Sequence, residues 1–194
     1  MQKIAKTEIE INPIIAHRWS PRTFSSKPVE PDKITALLEA ARWSSSAFNE
    51  QPWRFIVGKE QDASWKKILE SLVEWNRNWA KTSPLLILNI AKLQFTHNNK
   101  PNDTAIYDLG QAVSSMTLEA VHQHLFSHQM TGFDSKKAEE LFNIPEGFKA
   151  ISVTAFGYYG DPANIPEEIA KMEKNERSRK DLNEIVFNPN EFNM

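Results

Sequence analysis

The stretch Ser44-Ser45-Ser46-Ala47-Phe48-Asn49-Glu50-Gln51-Pro52-Trp53-Arg54-Phe55-Ile56-Val57 forces the backbone to change form. Serine hydroxyls compete for the hydrogen bonds of a helix, so the periodic segment before them has to stop there. Pro52 disfavours helix at Gln51, and Trp53, Phe55, Ile56 and Val57 then read as a buried strand. Helix, loop and strand therefore follow one another within this single stretch. The loop carries Ser46, Asn49 and Gln51, whose hydroxyl and amides can meet the donors and acceptors of a flat polar heterocycle. The same residues also suit a well-capped connection with no ligand.

Elements on either side follow from punctuation and periodicity. Asn12 before Pro13 is a helix start, so Ile14, Ile15, Ala16 and His17 form a short helix that delivers Arg18, Trp19, Ser20, Pro21 and Arg22 just after it. Pro31 opens a helix with Ile34, Leu37, Leu38 and Ala41 on one face. The spacing predicts a third helix over 62–81, carrying Trp65, Ile68, Leu69 and Leu72 and then a polar end with Asn76. Residues 85–91 show no alternation and read as a buried strand. Residues 94–103 are polar and Asn-rich and read as a surface loop. The longest periodic segment runs from Thr104 to about Phe126, with Ile106, Leu109, Val113, Met116, Ala120 and Val121 as one stripe. Small residues Gly110, Ala112, Ser114 and Ser115 permit close approach, which suits a buried helix or a subunit interface. Asp134 caps a short helix to Phe142, and 151–159 reads as a strand. The polar tail, about 161–194, ends in Leu182, Ile185, Val186 and Phe187, an apolar group expected to dock on this chain or on a partner.

Composition narrows the function classes. With 194 residues, and roughly 150 per domain as the rule, 1–194 is expected to be a single domain. A formal charge of −2 gives no general attraction to nucleic acid. There are no cysteines, which removes disulfides and thiolate chemistry and fits the cytoplasm. No apolar run is long enough to span a bilayer, so no membrane role is expected. Gly-x-Ser-x-Gly, Gly-x-Gly-x-x-Gly and a glycine-rich phosphate loop are all missing, so hydrolase, dinucleotide-fold dehydrogenase and nucleotide triphosphatase lose their usual support. His122, His124 and His128 do not share one helix face and have no carboxylate at ligand spacing, so no metal is expected. Arg18 and Arg22 flank Ser20, while Arg177 and Arg179 flank Ser178. Two such distant pairs can converge on one phosphate, although each alone suits an ordinary surface ion pair. Trp19 and Trp79 are candidates to line an aromatic ligand, against a core role for both.

Taken in order, Arg18-x-Ser20-x-Arg22-x-Phe24, Ser46-x-x-Asn49-x-Gln51-Pro52-Trp53-x-Phe55, His128-Gln129-Met130-x-Gly132-Phe133-Asp134, Gly157-Tyr158-x-Gly160 and Arg177-x-Arg179 resemble the motifs of the nitroreductase family of FMN flavoenzymes. The resemblance implies an α+β fold with a mixed, mainly antiparallel sheet flanked by helices, in an intertwined homodimer with FMN at the subunit interface. It implies an FMN-dependent NAD(P)H oxidoreductase that passes hydride through flavin N5 to nitroaromatics, quinones or similar flat acceptors in a ping-pong cycle. By the same resemblance Arg18, Trp19 and Ser20 belong to the cofactor site, with Arg18 and Ser20 on the phosphate and ribityl chain and Arg177 and Arg179 closing on the phosphate. Arg22 would stabilise negative charge on the reduced ring. Ser46 and Asn49 would approach from the second subunit, and Gln51 would support that loop or touch the cofactor. Gln129, Met130 and Thr131 would run along the ring, Gly132 would permit close approach, and Asn76 would bond the pyrimidine edge. Ser45 departs from the proline common in the family, and the short excursion after Ala91 leaves little or no lid. On the same scaffold, dehalogenation, ring dehydrogenation or flavin sequestering without turnover are the alternatives.

Overall fold

The computed structural model describes residues 3–187. α1 (Pro13–His17) starts where Asn12 Oδ1 accepts the Ile14 N–H at 2.9 Å, the cap that its sequence predicts. α2 (Pro31–Arg42) buries Ile34, Leu37 and Ala41 and stops at Trp43, immediately before the serines. β1 (Trp53–Lys59) follows Pro52 as expected.

Where one helix is predicted over 62–81, the structure has two: α3 (Ala63–Ser71), capped by Asp62, and α4 (Glu74–Ala80). Leu72 between them is extended and bridges to Phe133, and the Val73 N–H donates to the Gly132 carbonyl at 3.1 Å. A distant strand end thus takes the hydrogen bonds that would have continued the helix.

β2 (Leu85–Lys92) lacks alternation because both its faces are covered. α5 (Ala105–His122) buries Leu109, Val113, Met116 and Ala120, but Ile106 is 49% exposed and leaves the expected stripe. α5 also ends at His122, short of Phe126. His124 adopts a left-handed φ of 59° that reverses the chain into β3 (Phe126–Met130), a strand the sequence reading did not foresee. α6 (Ser135–Phe142) is capped by Asp134, whose Oδ1 accepts the Lys137 N–H at 3.0 Å. β4 (Phe148–Gly157) starts earlier and ends earlier than the predicted 151–159.

The sheet order is β1-β2-β4-β3, and every pairing among the described residues is antiparallel, so the mainly antiparallel α+β fold is as expected. Leu86, Leu88 and Ile90 of β2 pack with Trp65, Ile68, Leu72, Trp79 and Ala138 on one side. Leu85, Ile87 and Ala91 pack with Ile34, Leu37, Leu109, Val113 and Met116 on the other. The period of two along β2 sends alternate residues into the two cores. Between them Asn89 Nδ2 donates to Ser152 Oγ at 3.0 Å and Thr154 Oγ1 at 2.9 Å, at the irregularity in the β2–β4 register.

The tail divides. α7 (Glu167–Met172) buries Ile169 wholly, whereas α8 (Leu182–Ile185) buries none of its residues. Leu182 is 46% exposed and Ile185 60%, and Phe187 is fully exposed in the single chain. No helix among the described residues is long and apolar enough to cross a membrane.

Candidate functional site

β3 is an edge strand, and the candidate site is assembled along it. The extended segment after α1 carries Arg18, Trp19, Ser20 and Arg22, while the segment after α7 carries Glu173, Arg177 and Arg179. These two ends of the chain enclose a cavity of about 290 Å³, lined by Arg18, Ser20, Arg22, Glu173, Arg177 and Arg179 among others. Arg177 Nη1 donates to the carbonyls of Lys3 and Ala16, both at 2.7 Å, which fixes the far segment onto α1. Arg18 Nη1 donates to Ser20 Oγ at 3.2 Å. The Arg22 N–H donates to Glu173 Oε1 at 2.8 Å.

Among the described residues none of these four guanidiniums is ion-paired with a carboxylate. Burial, and then the charge of Arg179, pull the Arg18 pKa below its usual value. Burial, Arg18 and Arg179 do the same to Arg177. Four guanidiniums crowded without a direct ion-pair partner define a cavity suited to an anion, where charge-assisted bonds contribute about 1.5–3 kcal/mol each. Two clusters separated by some 150 residues of chain are thus brought together as the sequence suggests.

Along β3 the surroundings change from charged to neutral. His128 Nδ1 lies 2.9 Å from the Pro21 carbonyl oxygen, and its ring sits 4.5 Å from that of Trp79. Burial, followed by the nearby Arg22 charge, lowers the His128 pKa to about 4, so the ring is neutral at neutral pH. Contact with a carbonyl oxygen requires the proton on Nδ1. Gln129 and Thr131 are exposed and Met130 is buried. The Gly132 carbonyl accepts from Asn76 Nδ2 at 2.9 Å, which brings Asn76 of α4 to the end of β3. A Cβ on residue 132 would stand 2.5 Å from Asn76 Nδ2, so only glycine admits that contact.

Ser46, Asn49 and Gln51 do not join this cavity within the chain. Ser46 Oγ accepts the Gln51 N–H at 3.0 Å, and Gln51 Nε2 donates to the Asn49 carbonyl at 3.0 Å. Phe48, Asn49 and Gln51 all have positive φ, and Phe48 is 87% exposed. The loop is held instead on α5, where the Ala47 N–H donates to Asp108 Oδ2 at 3.1 Å and Ser44 and Ser115 share a hydrogen bond of 2.8 Å.

Trp79 is wholly buried between Phe24 and His128 and belongs to the core, so it lines no ligand site. Trp19 borders the cavity yet is itself buried against Phe126 and Tyr159. His122 and His124 face a second, largely apolar cavity of about 510 Å³ with His17, away from His128. Among the described residues no group of His, Asp and Glu side chains could hold a metal ion. Sequence reasoning missed Lys3 and Glu173. The signal for Glu173 was present, because it lies four residues beyond Ile169 and so continues the buried face of α7.

Fold and site together define an α+β protein with a cationic cavity at the edge of its sheet. The nitroreductase family model matches residues 15–81. A crystal structure of an oxidoreductase containing FMN superposes with a TM-score of 0.88 at 31% identity, covering 94% of this chain and 93% of that one. An uncharacterized 15.4 kDa protein of Mycolicibacterium smegmatis is 32% identical over 69% of this chain and 94% of its own length. The major NAD(P)H-flavin oxidoreductase of Aliivibrio fischeri is 34% identical over 44% of this chain and 40% of its own. The chain belongs to the nitroreductase family.

Proposed function

We propose that this chain is an FMN-dependent NAD(P)H oxidoreductase that acts as a cytoplasmic homodimer on flat acceptors such as nitroaromatics or quinones. The observation that carries the reading is the convergence of Arg18, Arg22, Arg177 and Arg179, none ion-paired among the described residues, on one cavity beside the β3 edge. The donor set fits the phosphate of FMN: several guanidiniums for its charge and the Ser20 hydroxyl for a neighbouring oxygen. Gly132 and the Asn76 amide at the end of β3 fit the approach of a polar heterocycle.

In this reading Arg18, Ser20, Arg177 and Arg179 hold the phosphate and ribityl end, with Trp19 as a packed wall. Arg22 places positive charge toward the ring, where it favours the reduced state. Gln129, Met130 and Thr131 line the ring, and Asn76 meets its pyrimidine edge. Ser46, Asn49 and Gln51 complete the site from the second subunit. Support for that subunit comes from the surface continuous with the loop, where Trp43 is 78%, Phe48 87% and Tyr107 70% exposed.

When bound, FMN supplies a ring that accepts hydride from NAD(P)H and passes reducing equivalents to the acceptor. The chain itself binds, orients and tunes. No acid–base dyad is required of it, since positioning and fixed charge supply the catalysis.

The visible absorption of the purified protein, read before and after anaerobic addition of NADH or NADPH, tests this. A flavin spectrum that bleaches, and recovers on adding a quinone or nitroaromatic, is the expected result. A flavin spectrum that persists supports sequestering without turnover. Bleaching without recovery by those acceptors points to another reductive reaction, such as dehalogenation. A protein that takes up no FMN overturns the assignment.

A further inference from the structure

We propose that Glu173 is the proton-accepting residue of the cavity: its carboxyl takes up a proton from solvent when a phosphate monoester enters, turning Oε2 from an unmatched acceptor into a donor to the anion. The inference rests on the reading of the cavity as the site of the FMN phosphate.

Glu173 is only 2% exposed, although its neighbours Met172 and Lys174 are exposed. Its two oxygens are treated differently. Oε1 accepts the Arg22 N–H at 2.8 Å and so holds the segment bearing Arg18, Ser20 and Arg22 against the end of α7. Oε2 is buried and has no hydrogen-bond partner among the described residues, although four guanidiniums line the same cavity. A buried acceptor without a donor is costly, typically about 1–3 kcal/mol, so the arrangement calls for an explanation.

The charged groups that face this carboxyl come from three parts of the chain. Lys3 approaches from the N-terminal segment, Arg18 and Arg22 from the segment after α1, and Glu176, Arg177 and Arg179 from the segment after α7. Tyr159 at the end of β4 also senses its charge. Glu176 is engaged outward by Lys6 at 2.7 Å. Burial raises the Glu173 pKa, and the Arg22 N–H, Arg22 and Lys3 pull it back without restoring it. A phosphate dianion entering among the same cations adds a second negative charge beside a carboxylate that is already costly to ionise. Protonation removes that repulsion and satisfies Oε2 in one step, because a neutral carboxyl has one O–H to donate. Oε1 can accept from Arg22 in either state, so the segment stays in place. One proton is taken up and no other bond changes.

The test is the pH dependence of cofactor affinity in the full-length protein. Kd for FMN is measured by flavin fluorescence for wild type and Glu173→Gln, with riboflavin as the phosphate-free comparison. Glu173→Gln keeps an acceptor for the Arg22 N–H and supplies a permanent donor. As pH rises through the titration of Glu173 in the complex, wild-type affinity for FMN should fall by about tenfold more than that of the variant, the effect of a displacement of about one pKa unit on binding. Riboflavin should show no such difference. Titration calorimetry in two buffers of different ionisation enthalpy should find a proton taken up with FMN by wild type and none by the variant. Phosphorus NMR should report the bound phosphate as the dianion, which places the proton on the protein.

Parallel pH profiles, no proton uptake by wild type, or a monoanionic bound phosphate each overturn the proposal while leaving the phosphate site standing. If the variant does not fold, the calorimetry and NMR on wild type still decide. If Arg18→Ala weakens FMN no more than riboflavin, the phosphate reading itself fails, and this proposal with it.

Discussion

The cation cavity and the Ser46–Gln51 loop differ in what one chain can finish. At the cavity, two segments from opposite ends of the sequence meet and are locked by backbone contacts, such as Arg177 to the Ala16 carbonyl and Arg22 to Glu173. In the loop the polar groups are consumed locally, and Phe48 points to solvent. A single copy therefore builds the grip for an anion, while in the proposed reading Ser46, Asn49 and Gln51 reach the ring only from a second copy. The proposed oxidoreductase would need the fold for its phosphate end and the dimer for its ring.

Removing the grip should give the largest effect. Arg18→Ala combined with Arg179→Ala deletes two charge-assisted contacts of about 1.5–3 kcal/mol each, so FMN affinity should fall by about 100-fold or more, with riboflavin little changed. Fluorescence titration with the two flavins checks it, and an equal loss for both would erase the distinction between the two regions. Gly110→Arg attacks only the second copy. A Cβ at Gly110 meets nothing within 4 Å in the chain itself, and losing a mid-helix glycine favours α5 by about 0.5–1 kcal/mol. The variant should keep its circular dichroism, elute at half the mass and bind FMN about tenfold more weakly, as expected if roughly 1.4 kcal/mol of ring contacts is lost. An unchanged elution volume would remove α5 from the interface.

The seat of the cavity's Arg18–Arg22 segment on β3 is tested by acid. His128 is neutral in the folded protein with a pKa lowered to about 4, against 6.5 unfolded. Its contribution to stability is present above about pH 6.5 and is lost as pH falls toward 4, because the unfolded chain binds the extra proton. Urea unfolding across that range should show the loss in wild type and a flatter profile in His128→Gln. Smallest is Ser46→Ala, which leaves the Gln51 N–H without its acceptor and should cost about 1 kcal/mol of stability in the same assay.

Much of this was legible along the chain. Asn12, Asp62 and Asp134 cap the helices they precede, the serines end α2, and the run in β2 is buried on both faces because its chemistry offers no solvent side. The misses share a cause. The break between α3 and α4 depends on hydrogen bonds to Phe133 and Gly132, some sixty residues away, and nothing in the Leu72-Val73 pair announces it. β3 was hidden because Ser127 and His128 are polar residues turned inward, which reverses the pattern by which strands are recognised. Within the site, the two arginine pairs carried a signal of their own. Glu173 sits in a tail rich in exposed glutamates, where residue type does not single it out and only its spacing from Ile169 does.

The contacts around Arg177 also close the molecule on itself. Lys3 Nζ donates to the Asn175 carbonyl at 2.6 Å, Lys6 pairs with Glu176, and Arg177 reaches the Lys3 carbonyl, so residues 3–6 and 175–177 run side by side. Residues 3–177 are thus closed into a near ring whose seam is the rim of the cavity. A bulky group placed between residues 3–6 and 175–177 would break this seam and open the rim of the cavity. A backbone cut in the exposed hairpin loop at 96–100 would by contrast leave both cores and the anion grip untouched.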